Sequence, residues 1–314
     1  MKLKNFLLLV LLAALWGPSF LFIKVAVAEI PPLTLVLGRV GIAAILLTLL
    51  LLFQGKVFPK RGTIWRHLAV VAAVQNAIPF VLFSWGEQYI SSALASILNG
   101  TTPIFTIIIA HFFGKNDRLT PTKLVGVLIG FAGLMLLISP SFADGLQATT
   151  LGVLGVALAA VMYGIAIVYT RNNLTGLPPL VAPAGQMILA SLYLLPLSLL
   201  LERPYTVTSL SLPAIGSMLA LGVLGTAAAF VVYYRLLETA PASYVSMTTY
   251  IIPVFGVILG VLVLNEQLTW HAYAGFALIL LGVMIVNGLL KLKRPSQGRV
   301  NLSVADHNQR GTAD

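Results

Sequence analysis

The 314-residue chain contains no cysteine, which excludes disulfide bonds, thiolate nucleophiles and cysteine-ligated metals. It is also poor in charge. Asp, Glu, Lys and Arg make up 9% of it, against about 25% in an ordinary soluble domain. No acid falls in the middle of an apolar stretch: Glu29, Glu87, Asp144, Glu202 and Glu266 stand at one set of ends, Asp117 and Glu238 at the other. HExxH and paired intramembrane aspartates are absent as well. No catalytic or metal-binding residue is therefore assigned, no cofactor is expected, and the chain does not read as an enzyme.

What the sequence has in excess is apolar residues, 59% of the total, with a mean hydropathy of +0.98. They form ten runs, at about 5–28, 33–53, 67–88, 91–113, 120–138, 150–170, 180–201, 212–237, 242–264 and 270–290. Each is close to the roughly 20 residues that carry a helix across a hydrocarbon core. The expected fold is an all-α integral membrane protein with ten transmembrane helices in a lipid bilayer. The first run starts like a secretory signal but continues to Ala28 without an A-x-A cleavage site, so it counts as a retained span.

With the N-terminus in the cytoplasm, all but three of the 19 Lys and Arg fall in inner loops and the tail. Arg203 is outside, and Lys24 and Arg39 lie within spans. This bias and the even number of spans place both termini in the cytoplasm. The net charge of +10 is accordingly a topology signal rather than a nucleic-acid surface. Residues 291–314 are polar and basic, a cytoplasmic tail expected to be disordered.

The body of the chain is written twice. A shift of 150 lays Phe80 on Phe230, Pro103 on Pro253 and Phe105 on Phe255; a shift of 147 lays Gly17 on Gly164, Lys24 on Arg171 and Leu33 on Leu180. A shift of 149 lays Leu119 and Thr120 on Leu268 and Thr269, Gly126 on Gly275 and Gly133 on Gly282. The repeats are residues 1–140 and 150–290, five spans each. Five is odd, so the second copy crosses the membrane in the opposite sense. In transporters such inverted repeats enclose a midplane substrate site that rocking exposes to one side at a time.

The ordered set LWGPSFLFIK (Leu15 to Lys24), PPLTLVLGR (Pro31 to Arg39), the serine- and alanine-rich run up to Pro103, LTPTKLVGVLIGFAGLMLLI and LTWHAYAGFALILLGVMIV resembles the EamA-type, ten-helix members of the drug/metabolite transporter superfamily. The resemblance implies export or exchange of small metabolites, often amino acids or related compounds, across a bacterial inner membrane. It also implies a central cavity built by spans 1 to 4 and 6 to 9, with spans 5 and 10 outside. Two departures stand out. The family's Gly-Glu after span 4 is missing, Asn116 standing opposite Glu266, and Pro18 replaces a small residue, which predicts a changed bend in span 1.

Candidate substrate-binding residues follow from depth and chemistry. Pro103 and Pro253 each remove a helical hydrogen bond, leaving the carbonyls of Asn99 and Thr249 unmet beside Asn99, Thr102, Thr249 and Tyr250. These groups either line a weakly polar site or bond helices together. Trp16 and Tyr163, paired by the 147 shift, sit at mid-depth, away from the interfaces where aromatics collect, and either stack on a substrate or pack on a neighbouring helix. Asn76 with its counterpart Thr226, and Gln186, add polar groups. Arg39, whose counterpart is Gln186, and Lys24 lie close enough to the outer end to snorkel or pair structurally, the alternative being an anionic substrate group. Glycines at 126, 130, 133, 275 and 282 mark packing faces, for contact between halves or in a homodimer. A passive channel or membrane sensor on the same body is the competing reading.

Overall fold

The structure, a computed structural model, describes residues 3–60, 62–114, 119–143, 147–174, 176–178, 180–206, 209–239, 245 and 248–290. The tail from Lys291 and the loop holding Asn116 lie outside the described residues. Helices account for the apolar runs in order: α1 Leu3–Val27, α2 Pro32–Phe53, α3 Gly62–Gly86, α4 Ser92–Phe113, α5 Pro121–Pro140, α6 Ala148–Asn173, α7 Val181–Glu202, α8 Leu212–Leu236, α9 Thr248–Val263 and α10 Trp270–Val286. Eight are long and apolar enough to cross a bilayer, and α9 and α10 are shorter apolar helices. α3 starts at Gly62, ahead of the apolar run, because its first turn is polar and aromatic; there the Trp65 indole donates to the Pro59 carbonyl (3.0 Å).

The surface is apolar where lipid belongs. Phe53, Phe112, Leu128, Leu200 and Leu262 are more than half exposed, as a lipid-facing side chain must be. Between the helices, small residues let backbones approach. α5 and α10 cross antiparallel along a glycine seam. A Cβ at Gly126 would lie 2.7 Å from the Gly282 carbonyl, and one at Gly133 would lie 2.7 Å from that of Gly275. The glycine face is thus consumed between the two halves of one chain. Gly17 of α1 packs on Phe255 of α9, and its counterpart Gly164 of α6 packs on the Phe105–Thr106 backbone of α4, so positions matched by the sequence shifts make matched contacts.

The helices are irregular at mid-depth. α1 breaks at Gly17–Pro18, the bend that Pro18 predicts, and α4 breaks at Gly100–Thr101 ahead of Pro103. α3 and α8 widen into π-helical turns at Ala72–Ala77 and Val223–Ala228, which hold Asn76 and Thr226. Such turns interrupt the regular ladder and recur at functional sites.

At the end of the bundle away from Leu3, here the far end, three carboxylates meet helix starts in the other half. Glu29 accepts from the Ser211 N–H (2.7 Å) and hydroxyl (2.6 Å) ahead of α8. Glu202 accepts from the N–H groups of Leu33 (2.8 Å) and Thr34 (2.7 Å) in α2. Glu266 accepts from Ser92 (2.7 Å) and Ala93 (2.9 Å) in α4. Each satisfies N–H groups that the helix itself cannot, and each places a negative charge at the positive end of a helix dipole.

Two outcomes are expected. Gly133→Leu drives a side chain into backbone and lowers the melting temperature in detergent by the equivalent of about 1–3 kcal/mol or more, whereas Gly41→Ala, with nothing within 4 Å, is neutral or stabilising. The Ser211 bonds hold the Glu29 carboxyl below its ordinary 4.5, so the carboxylate's contribution is complete above that value and is lost as pH falls through the lower, folded one. Melting curves should therefore show Glu29→Gln less stable than the parent at pH 7, with the gap closing under acid conditions.

Candidate functional site

A cavity of about 350 Å³ lies between the halves, lined from α1, α2, α3, α4, α6, α8 and α9, together with Val245. Neither α5 nor α10 contributes to it, as the resemblance implies, and α7 stands one layer behind. Its far wall is sealed: Ile23 and Phe83 are 2% and 3% exposed, whereas Ile167 on the opposite side is 45% exposed.

Two clusters of aromatic rings line the cavity. In one, Tyr163 stacks on Phe83 (5.8 Å between centroids), and Phe83 meets Phe20 edge-on (5.6 Å). In the other, Trp16 contacts Tyr233 (5.7 Å) and Phe230 (6.4 Å). Each such pair is worth about 0.5–1.5 kcal/mol beyond its buried area and fixes the ring planes that a ligand meets.

Arg39 also lines the cavity. Its guanidinium lies 3.8 Å from the centre of the Phe80 ring, donates from Nε to the Thr226 hydroxyl (2.9 Å) and reaches the Gly225 carbonyl through Nη2 (3.5 Å). The Thr226 hydroxyl in turn donates to the Leu221 carbonyl (2.9 Å), five residues back, across the π turn. Arg39 is buried at 6% exposure, so the snorkelling expected of it gives way to a cavity-facing cation held by a ring and by α8. Lys24 is the structural member of the pair. Its ammonium donates to the main-chain carbonyls of Glu87 (2.5 Å) and Ile90 (2.7 Å).

Of the residues singled out by sequence, Trp16, Arg39, Asn76, Asn99, Thr102, Tyr163 and Thr249 line the cavity. Gln186 and Thr226 are buried supports: the Gln186 amide oxygen accepts from Asn76 Nδ2 (3.1 Å), and Thr226 holds Arg39. Tyr250 is corrected. One helix position away from Thr249, it turns from the cavity and its hydroxyl donates to the Val283 carbonyl in α10 (3.2 Å). Pro103 and Pro253 shape the helices without facing the cavity; Pro253 packs on Gly100. The Asn99 carbonyl that Pro103 was expected to leave unmet accepts from the Thr102 hydroxyl (2.8 Å).

Two lining residues each hold a buried polar atom with no protein partner among the described residues, Ser19 Oγ and Asn76 Oδ1. Sequence reasoning did not single out Gln75, Ser19 or the aromatic residues Phe20, Phe80, Phe83, Phe230 and Tyr233 as lining. The criterion that selected Trp16 and Tyr163, a pair of aromatics matched by the repeat at mid-depth, also selects Phe80 and Phe230.

The profile of the EamA-like transporter family matches residues 3–139 and 150–288. An uncharacterized transporter of Archaeoglobus fulgidus is 31% identical over 291 residues, covering 90% of this chain and 98% of the relative. The transporter YoaV of Bacillus subtilis is 28% identical, over 86% of this chain and 92% of its own length. The inner membrane transporter YedA of Escherichia coli is 26% identical over 87% of each chain. A crystal structure with 19% sequence identity superposes with a TM-score of 0.65, covering 92% of this chain and 98% of that one, a likeness of fold.

The buried amide pair makes a direct test. Asn76→Leu leaves the Gln186 oxygen buried without its donor, at a cost of about 1–3 kcal/mol in melting experiments. Adding Gln186→Leu should recover part of that loss, the non-additivity that a double-mutant cycle reads.

Proposed function

Because the chain belongs to the EamA-like transporter family and is a multi-pass integral membrane transporter, we propose that it moves small organic metabolites by alternating access between two inverted five-helix repeats, residues 1–140 and 150–290. The observation that carries the reading is the cavity itself, sealed at the far end and lined by aromatic rings and the Arg39 guanidinium.

The wall chemistry narrows the cargo. The aromatic lining accepts a flat or apolar body, while Arg39, with donors beyond those directed at Thr226 and Gly225, suits an anionic or strongly accepting group. No carboxylate faces the cavity among the described residues, which disfavours a bare cation. Amino acids and related compounds with an apolar side chain fit both requirements, and the volume falls within the range of small-molecule sites. The carrier works by export or exchange in the bacterial cytoplasmic membrane, with both termini cytoplasmic, and carries out no catalytic chemistry. The matched contacts of Gly17 and Gly164, and the antiparallel glycine seam of α5 and α10, support the inverted repeat.

Thermal-shift screening of the purified protein against amino acids, nucleosides and sugar phosphates should give a stabilising ligand. In proteoliposomes that ligand should show saturable uptake and counterflow; flux that rises linearly with concentration would instead make the chain a channel. For an anionic ligand, Arg39→Gln should weaken binding about tenfold or more, the scale of one charged hydrogen bond.

A further inference from the structure

Glu87 closes the C-terminus of α3, one turn beyond the cavity-lining Phe83 at the sealed far end. Its side chain is 0% exposed, and neither carboxyl oxygen has a hydrogen-bond partner among the described residues. This sets it apart from Glu29, Glu202 and Glu266, each of which is met by backbone N–H groups. The charged groups that act on it are Lys24 from α1, Arg39 from α2 and Glu266 from the α9–α10 loop. Lys24 turns its ammonium to the carbonyls of Glu87 and Ile90, Arg39 is engaged with Phe80 and α8, and Glu266 has the same sign. α6 approaches through the Gly152 backbone and Val156, where Gly86 and Gly152 leave no room for a side chain; of the titratable groups on this helix, Tyr163 lies deeper, against Phe83, and Tyr169 and Arg171 stand in its last two turns, toward the other end. From α4 only the Ser92 hydroxyl stands near the helix start held by Glu266, and Tyr89 in the preceding turn is 41% exposed.

An ionised carboxylate so placed has lost its water and gained no donor, a loss of several kcal/mol that protonation avoids. Opening the far end between the halves would return water to it and leave Lys24 and Arg39 as its nearest cations. We propose that Glu87 is a proton-binding site coupled to far-end closure: one proton adds to the carboxylate as the end closes and leaves to water as it opens. This rests on the alternating-access reading and adds a ligand to it. A single linked proton sets the sign and the limit. Acid favours the closed far end, alkali the open one, by at most about tenfold per pH unit.

The absence of native cysteine makes the test clean. Ala93, fully buried where α4 meets Gly260 of α9, is a reporter of far-end opening. In purified Ala93→Cys protein, the maleimide labelling rate is followed against pH, with the Ala93→Cys, Glu87→Gln protein as reference for the thiol's own titration. The ratio of the two rates should rise several-fold or more from acid to alkaline pH, because Gln stands in for the protonated acid at every pH. A constant ratio would overturn the proton site while leaving the carrier reading intact. No labelling at any pH would overturn alternating access, and this proposal with it. Should Glu87→Gln fail to fold, infrared spectra of the Ala93→Cys protein decide. A protonated-carboxyl band persisting at neutral pH and fading as labelling rises supports the site, and its absence at neutral pH refutes it.

Discussion

The first N–H groups of a helix have no partner within the helix, and at the far end of this protein carboxylates supplied from the opposite half meet that need. Glu29 serves α8, Glu202 serves α2 and Glu266 serves α4. The same bonds that finish three helices therefore hold the two halves together. A seal built from helix ends can open without unfolding any helix.

The seal gives the cavity its character. Behind it, irregular backbone is tolerable because it faces protein or cavity and not lipid. The break at Gly17–Pro18, the break at Gly100–Thr101 and the two π turns all fall at that depth. They present Asn76 and Thr226 sideways, one into the cavity and one onto Arg39. Burying a guanidinium there is costly unless its donors are met. Thr226, Gly225 and the Phe80 ring meet part of that demand and leave the rest to whatever enters.

Glu87 and Glu266 show how position separates two similar groups. Both are far-end acids beside α4, yet Glu266 reaches two N–H groups and Glu87 reaches none. A charge that caps a helix is stabilised where it stands, whereas a buried acid without donors depends on its proton. The first fastens the far end, and the second makes the fastening sensitive to pH.

The sequence alone determined the all-helical membrane architecture, because hydrophobic length is a local property that ten runs of about 20 apolar residues display without reference to one another. It also reached the cavity's main polar and aromatic groups, since a polar or aromatic residue at mid-span has few other places to be. Trp16, Asn76, Asn99 and Tyr163 are of that kind. Only the tertiary structure decided direction and partnership. Tyr250 and Thr249 are neighbours on one helix, and which of them faces the cavity depends on the rotation that packing against α10 imposes. Arg39 looked near enough to the interface to snorkel until the Phe80 ring and Thr226 fixed it inward, and Glu87 looked peripheral until α6 closed over it at Gly152. Those outcomes are contacts between residues tens to hundreds of positions apart, and apolar length and periodicity along a single helix carry no trace of them.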